Sequence, residues 1–381
     1  MNPQVLLVST ASTWLGTARM TRGLARAGFT VALFAPEGSL AAHSRYVTNR
    51  KALPRDASPA VWLQALSEAV SQFEPALLVP CDEMALRLMF TLVTSAPPSL
   101  APAMRAHLDA LIRHSLGDAA HYVATIDKLR LSPIAAVAGI PVPAYAQAAG
   151  VEDAQRFADT HGYPIVLKRR YGFAGEGVRI VGSAADLAEA FAALSKRDQL
   201  DLGEGTGRQL LVQAFIAGPY YSHALVAWQG ATLASFGWER YVATQAQKGQ
   251  TSVVRFIDSP ATRALSEKIG RSFGITGFFN VQFVLDANGA PYLLEVNRRL
   301  VTHMHLGERV GVDLPGALFA RLTGGAAPTA AASRSDAANV AVFPREWLRD
   351  PESANLRQLP VDIPWDDPEL IEAMLAMRRV S

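Results

Sequence analysis

The stretch YPIVLKRRYGFAGEGVRIV, residues 163–181, sets a lysine and three glycines between two apolar runs. PIVLK and GVRIV have the length and composition of strands, so Gly172, Gly175 and Gly177 fall at a strand-to-strand turn. A dinucleotide or Walker-type phosphate loop must open a helix, whose N-terminal N–H groups and dipole hold the anion. The order G-x-x-G-x-G between two strands excludes both. Two readings stay open for these residues alone. One is a loose hairpin turn; the other is a glycine lid folded over a polyphosphate, its backbone N–H groups pointing inward. Lys168 ends the first strand beside the loop, within reach of whatever the lid covers.

A second stretch, FNVQFVLDANGAPYLLEVNRR at 279–299, bears on that choice. The Asp286-Ala-Asn-Gly289 segment is a strong hairpin signal. Pairing across it brings Gln282 near Glu295, with Asn297 two residues on and so on the same face. Oxygen donors of this kind, completed by water and phosphate, suit Mg²⁺, with Mn²⁺ as a substitute. Glu295 lies in an otherwise apolar strand, where a carboxylate is paired or ligated.

The chain has 381 residues, half of them hydrophobic and 18% charged, enough for two or three soluble domains. Lysine plus arginine (36) nearly balances aspartate plus glutamate (34), which argues against a nucleic-acid or membrane surface. The single cysteine, Cys81, excludes an internal disulfide and fits a cytoplasmic setting. The first ten residues lack the parts of a signal peptide, and prolines and a glycine break the longest apolar stretch, 133–149.

Along the chain, VLLVST (5–10), a helix over 17–27, TVALFAP (30–36), a helix over 60–73 and ALLVP (76–80) alternate as strand and helix. That pattern predicts a parallel, doubly wound sheet. The first turn, ASTWLG, has one glycine instead of G-x-G-x-x-G, so no dinucleotide is expected there. A proline-rich loop (95–103), an extended GIPVPAY (139–145), a low-complexity stretch (324–338) and an amphipathic final helix (368–379) complete the outline. Its Leu370, Ile371, Met374, Leu375 and Met377 suit docking on the body or on a second copy.

Taken together these stretches resemble the ATP-grasp superfamily, in its carbamoyl-phosphate-synthetase-like branch, over roughly residues 5–322. The resemblance implies an α/β fold: a Rossmann-like N-terminal domain (1–115), an ATP-grasp domain (116–325) of two α+β subdomains clamping ATP, and a tail (326–381) with one helix. The glycine-flap subdomain would span about 145–215. DKLRLSPIAAVAGIPVPAY resembles the opening of the ATP-grasp domain, with Lys128 on the ATP phosphates. Lys168 resembles the second nucleotide lysine, under a flap of Gly172, Gly175 and Gly177. LLVQAFIAG resembles the hinge that binds adenine, through Gln213, Ala214, Phe215 and Ile216. Gln282, Glu295 and Asn297 resemble the metal ligands, and Arg299 the arginine on the transferring phosphoryl group.

The resemblance implies γ-phosphoryl transfer from ATP to a carboxylate, then attack of an amine on the acyl phosphate to form an amide. Lys168 and Arg299 would carry the catalytic charge, with a small carboxylate and an amine as substrates and a homodimer as a possible assembly. The alternatives are a bicarbonate-activating, carboxylase-like enzyme and an ATP-binding protein without ligase activity. Three positions depart from the family. Arg298 replaces its proline, adding charge near the γ-phosphate or facing solvent. Ala214 replaces a hinge acid, and the ribose-binding acid is missing from GPYYS, leaving Tyr220 or Tyr221 to substitute.

Other residues carry weaker signals. His303 and His305 at i, i+2 suit one metal on a strand, or pocket and surface positions. Asp82 and Glu83 follow a strand end, where they grip a substrate amine or cap a helix. GEGTG (203–207) reads as a connector, and 243–252 as a border of the acceptor site, with Lys248 or Arg255 as carboxylate partners.

Overall fold

The computed structural model describes residues 2–54, 56–95, 100–172, 175, 177–195, 209–244, 249–326, 328 and 339–377. Gln4–Val8 (β1), Thr30–Pro36 (β2), Asn49–Leu53 (β3) and Leu77–Pro80 (β4) form a parallel sheet in the order β3-β2-β1-β4. The central strands are apolar throughout because both faces are covered. Val5, Leu7, Val31 and Leu33 pack with helix Leu15–Ala27, while Leu6, Val8, Ala32 and Phe34 pack with the helices of residues 59–116. Gly16 explains the first turn. A Cβ there would sit 2.7 Å from Trp14 Nε1 and 3.2 Å from the Leu300 carbonyl oxygen, so the glycine permits close packing on a distant segment.

Tyr145–Ala148 (β5), Ile165–Arg169 (β6), Val178–Val181 (β7) and Leu210–Ala214 (β8) make a second, antiparallel sheet in the order β5-β8-β6-β7. Alternation sorts its faces. Ile165, Leu167, Val181 and Val212 pack under helices Val151–His161 and Ala184–Leu194. Val166, Lys168, Ile180 and Gln213 face the other way, toward a cavity.

The third sheet has six strands, Tyr220–Trp228 (β9), Ala231–Ala243 (β10), Thr251–Phe256 (β11), Gly277–Leu285 (β12), Pro291–Asn297 (β13) and Val340–Ala341 (β14). All its pairs are antiparallel and the order is β13-β12-β9-β10-β11-β14. Leu225, Phe279, Val281 and Val296 bury one face against Ile269 and Phe273. On the opposite face Ala224, Val226 and Phe278 join the N-terminal core, while Ser222, Asn280, Gln282 and Val284 line the cavity.

The expected tail with one helix is corrected. Beyond residue 339 the chain adds a strand to the large sheet and three helices, Arg345–Arg349, Ala354–Gln358 and Pro368–Ala376. Short, polar-flanked segments such as these carry too little periodicity to be read without their partners. In the last helix Leu370 and Met374 are buried in the N-terminal core, with Ile371 and Met377 against it, so this face docks on the body. Among the described residues no helix is long and apolar enough to cross a membrane.

Candidate active site

Asp127 caps helix Lys128–Val137, its Oδ1 accepting from the Leu129 N–H at 3.0 Å, and so places Lys128 at the first helical position. The other oxygen of this fully buried carboxylate accepts from Arg170 at 2.7 Å, tying the helix start to the residues before the glycine loop. Lys128 Nζ then donates to the Gly172 carbonyl at 2.8 Å and lies 3.4 Å from Glu295 Oε1. Lys168 is buried. Desolvation, with the Lys128 charge adding and Glu295 opposing, brings its pKa from 10.5 to about 8.

The hairpin β12–β13 aims the acidic end. Gln282 pairs with Glu295 and Asn280 with Asn297, but nearer the turn Phe283 pairs with Leu293. Leu294 is therefore an extra residue, a bulge, and both Leu294 and Glu295 line the cavity while Leu293 and Val296 stay in the core. Asn297 Oδ1 accepts from Arg299 at 3.0 Å. Arg299 in turn reaches back to the N-terminal domain, with its Nε 3.2 Å from Glu83 Oε2 and its guanidinium 5.0 Å from the Trp14 ring centre.

A cavity of about 380 Å³ opens between the second and third sheets. It is lined by Lys128, Lys168, Gly175, Gln213, Ala214, Phe215, Ile216, Gln282, Glu295, Asn297 and Arg299, so most of the expected site residues share one space. Gly172 and Gly177 stand behind the lining: Gly172 through its carbonyl to Lys128, Gly177 through its carbonyl to the Arg169 N–H at 2.8 Å. Gly172 and Gly175 have φ of 140° and 80°, conformations that other residues adopt only with strain. At the hinge, Gln213 Nε2 donates to Ser132 Oγ at 3.3 Å, and its buried Oε1 has no hydrogen-bond partner among the described residues.

Several secondary readings change. Arg298 neither lines the cavity nor faces solvent. It is 1% exposed, donates to the Leu116 carbonyl and to Thr125 Oγ1, and sits over Phe90 and Tyr122. Strand alternation ends at Asn297, so nothing local foretold that direction. His303 and His305 do not share a metal: His303 faces the cavity and bonds the Thr251 carbonyl, while His305 Nε2 lies 2.6 Å from Asp362 Oδ2. Asp82 is occupied by the Thr10 and Ala85 N–H groups and two hydroxyls, which makes it a loop tie and helix cap. Arg255 pairs with Glu239 away from the lining, although Gly249, Gln250 and Thr251 do line it. Lys248 and residues 203–207 lie outside the described residues.

Sequence reasoning missed Arg240, Thr302 and Arg345, all on the lining, and Asn280, whose buried Oδ1 has no hydrogen-bond partner among the described residues. For Asn280 the signal was available, since it lies two residues from Gln282 on one strand face. For Arg345 no local pattern existed.

Residues 206–343 match a family described as "ATP-grasp in the biosynthetic pathway with Ter operon". The fold agrees with that of solved carboxylases. The biotin carboxylase domain dimer of the 2-oxoglutarate carboxylase of Hydrogenobacter thermophilus, solved with MgADP, ADP and bicarbonate, matches at TM-score 0.64. The match covers 88% of this chain and 72% of that one, at 17% identity. Over residues 206–343 the chain resembles ATP-grasp proteins. Human mitochondrial pyruvate carboxylase is 29% identical over 197 residues, 49% of this chain and 16% of that protein. The D-alanine–D-alanine ligase of Stutzerimonas stutzeri (strain A1501) is 29% identical over 182 residues, 45% of this chain and 54% of that ligase. The chain thus spans only part of the length of these relatives.

Proposed function

We propose that this protein transfers the γ-phosphoryl group of MgATP to a carboxylate-type oxygen, forming an acyl phosphate that a nucleophile then captures. The observation that carries the reading is the meeting of Lys128, Lys168, Gln282, Glu295, Asn297 and Arg299 on one cavity between two sheets. The donor set fits a magnesium ion: one carboxylate, Glu295, and two amide oxygens on adjacent strands, with Glu295 in reach of solvent. When bound, magnesium or manganese would neutralise polyphosphate charge. Phosphoryl transfer asks a protein mainly for positioning and charge compensation. Lys128 and Lys168 hold the polyphosphate, and Arg299, fixed by Glu83 and Asn297, meets charge on the transferred group. Val166, Ile180 and Phe215 receive the base, while Gly175 closes over the phosphates and keeps water from the acyl phosphate. Tyr220 is the better ribose partner, because the Tyr221 hydroxyl is already given to the Ile257 carbonyl.

Bicarbonate is the first acceptor to consider, ahead of the amide-forming reaction that the sequence put first. Both the pyruvate carboxylase and the 2-oxoglutarate carboxylase point that way by their names. A carboxylate–amine ligase is the second reading, favoured by the D-alanine–D-alanine ligase match and by cavity cations beyond those a polyphosphate needs. ADP formation from MgATP separates them. Bicarbonate alone sustains it in the first case, and only an acid together with an amine in the second. Glu295→Ala should abolish it in either case, and near-wild-type turnover in that variant would overturn the site.

A further inference from the structure

We infer that the β10–β11 side of the cavity is a second anion subsite, in which Arg345 and Thr302 hold the carboxylate of an organic substrate, so that the C-terminal segment completes the site. The inference rests on the phosphoryl-transfer reading and deepens it by naming the class of the second substrate.

Among the described residues the cavity lining has six cations, Lys128, Lys168, Arg179, Arg240, Arg299 and Arg345, against one carboxylate, Glu295. That carboxylate already faces Lys128, and Arg299 has Glu83. Among the described residues Arg345 has no acid on this surface. It is 6% exposed, donates one N–H to Thr302 Oγ1 at 2.7 Å, and its Nε has no hydrogen-bond partner among the described residues. Burial alone lowers its pKa to about 9. A buried cation without a counter-charge is costly, and a guanidinium presents a planar fork that matches a carboxylate. Neutral His303, held at about 3 by burial, supplies no charge there and packs on Trp238, with ring centres 5.6 Å apart. Trp14, Trp238 and Val301 on the same lining suit an aromatic or apolar body behind the carboxylate.

Arg345 is placed by contacts that run across the whole molecule. Strand β14 pairs with β11, and the Val342 N–H reaches the Ser252 carbonyl at 2.8 Å. The Phe343 N–H is taken by Asp362, a buried carboxylate clasped between Arg19 of the first helix and His305. The clasp thus fixes the backbone two residues before Arg345. The geometry has the character of a binding site built on rigid elements, with the guanidinium held on the cavity lining by Thr302.

The test uses benzoate as the probe, with benzamide as its uncharged counterpart, titrated calorimetrically into the full chain with and without MgADP. Wild-type protein should bind benzoate saturably and ignore benzamide. Arg345→Met should weaken benzoate by about tenfold or more, the size of one charge-assisted hydrogen bond, while Arg345→Lys retains part of the affinity. MgADP affinity should be unchanged in both variants, which also shows that they fold. No benzoate binding by wild type, or equal binding by Arg345→Met, overturns the subsite. Benzoate binding that depends on Arg345 in a protein indifferent to MgADP supports the subsite and sinks the nucleotide reading instead.

Discussion

If Lys168 holds a polyphosphate as proposed, nucleotide affinity should depend on pH in a way that can be calculated. Lys168 has a pKa of about 8 in the free protein, because burial and the neighbouring Lys128 both oppose its charge. Holding the ammonium there at neutral pH costs roughly 3 kcal/mol relative to water, at about 1.4 kcal/mol per unit. A bound polyphosphate reverses that balance, so nucleotide selects the protonated lysine and raises its pKa. Between about pH 7 and about pH 9 the protonated fraction falls from about nine-tenths to about one-tenth, and nucleotide affinity should drop about tenfold, or ~1.4 kcal/mol. Calorimetric titration of MgADP at fixed ionic strength reads this directly. Lys168→Arg keeps a charge that does not titrate in the range, so its affinity should stay flat. Equal affinity at both ends for wild type, or the same decline in Lys168→Arg, would refute the reasoning.

Two further outcomes follow from buried groups outside the reacting centre. Arg298→Met should cost about 1–2 kcal/mol of stability in a urea titration, since it removes the hydrogen bonds to the Leu116 carbonyl and Thr125 Oγ1 and the contact of the cation with the Phe90 and Tyr122 rings. It should leave MgADP affinity unchanged, and a loss of binding without loss of stability would place Arg298 in the site after all. His223 is 1% exposed, and burial lowers its pKa from 6.5 to about 3. The unfolded chain therefore takes up a proton below about pH 6.5 that the folded chain refuses, and stability present above that pH is lost as pH falls toward about 3. The loss reaches about 2 kcal/mol at about pH 5. In His223→Leu the stability difference between about pH 7.5 and about pH 5 should shrink by about 2 kcal/mol, and an unchanged difference would show that His223 is not the group.

Much of this was legible because the end of the cavity at Lys168 and Glu295 is carried by residues close in sequence to their own structural signals. Lys168 and its glycines sit between two recognisable strands, and the Asp286–Gly289 turn fixes which residues face Glu295. Secondary structure that depends on distant partners was not legible. Strand β3, NRKAL, is a charged edge strand with no apolar run, and β14 has two residues and exists only because β11 offers an edge. The acceptor side was hidden for the same reason. Thr302 and Arg345 meet across 43 positions, and Glu83 meets Arg299 across 216. Charge type alone could not tell Arg299, in the cavity, from its neighbour Arg298, in the core, because neither lies on a strand whose alternation would sort them.

The bulge at Leu294 makes the aim of the Glu295 carboxylate a matter of parity. Counted back from the turn without it, Glu295 would stand opposite Val281 and point into the hydrocarbon core. Substitutions in the turn leave that count untouched. Deleting Leu294 would remove the bulge and let Glu295 follow Leu293 directly, opposite Gln282 in regular pairing and still on the cavity face. The hairpin therefore carries a one-residue correction to its count. Its tolerance to insertion and deletion is set by whether the bulge absorbs the change more than by which side chains are exchanged.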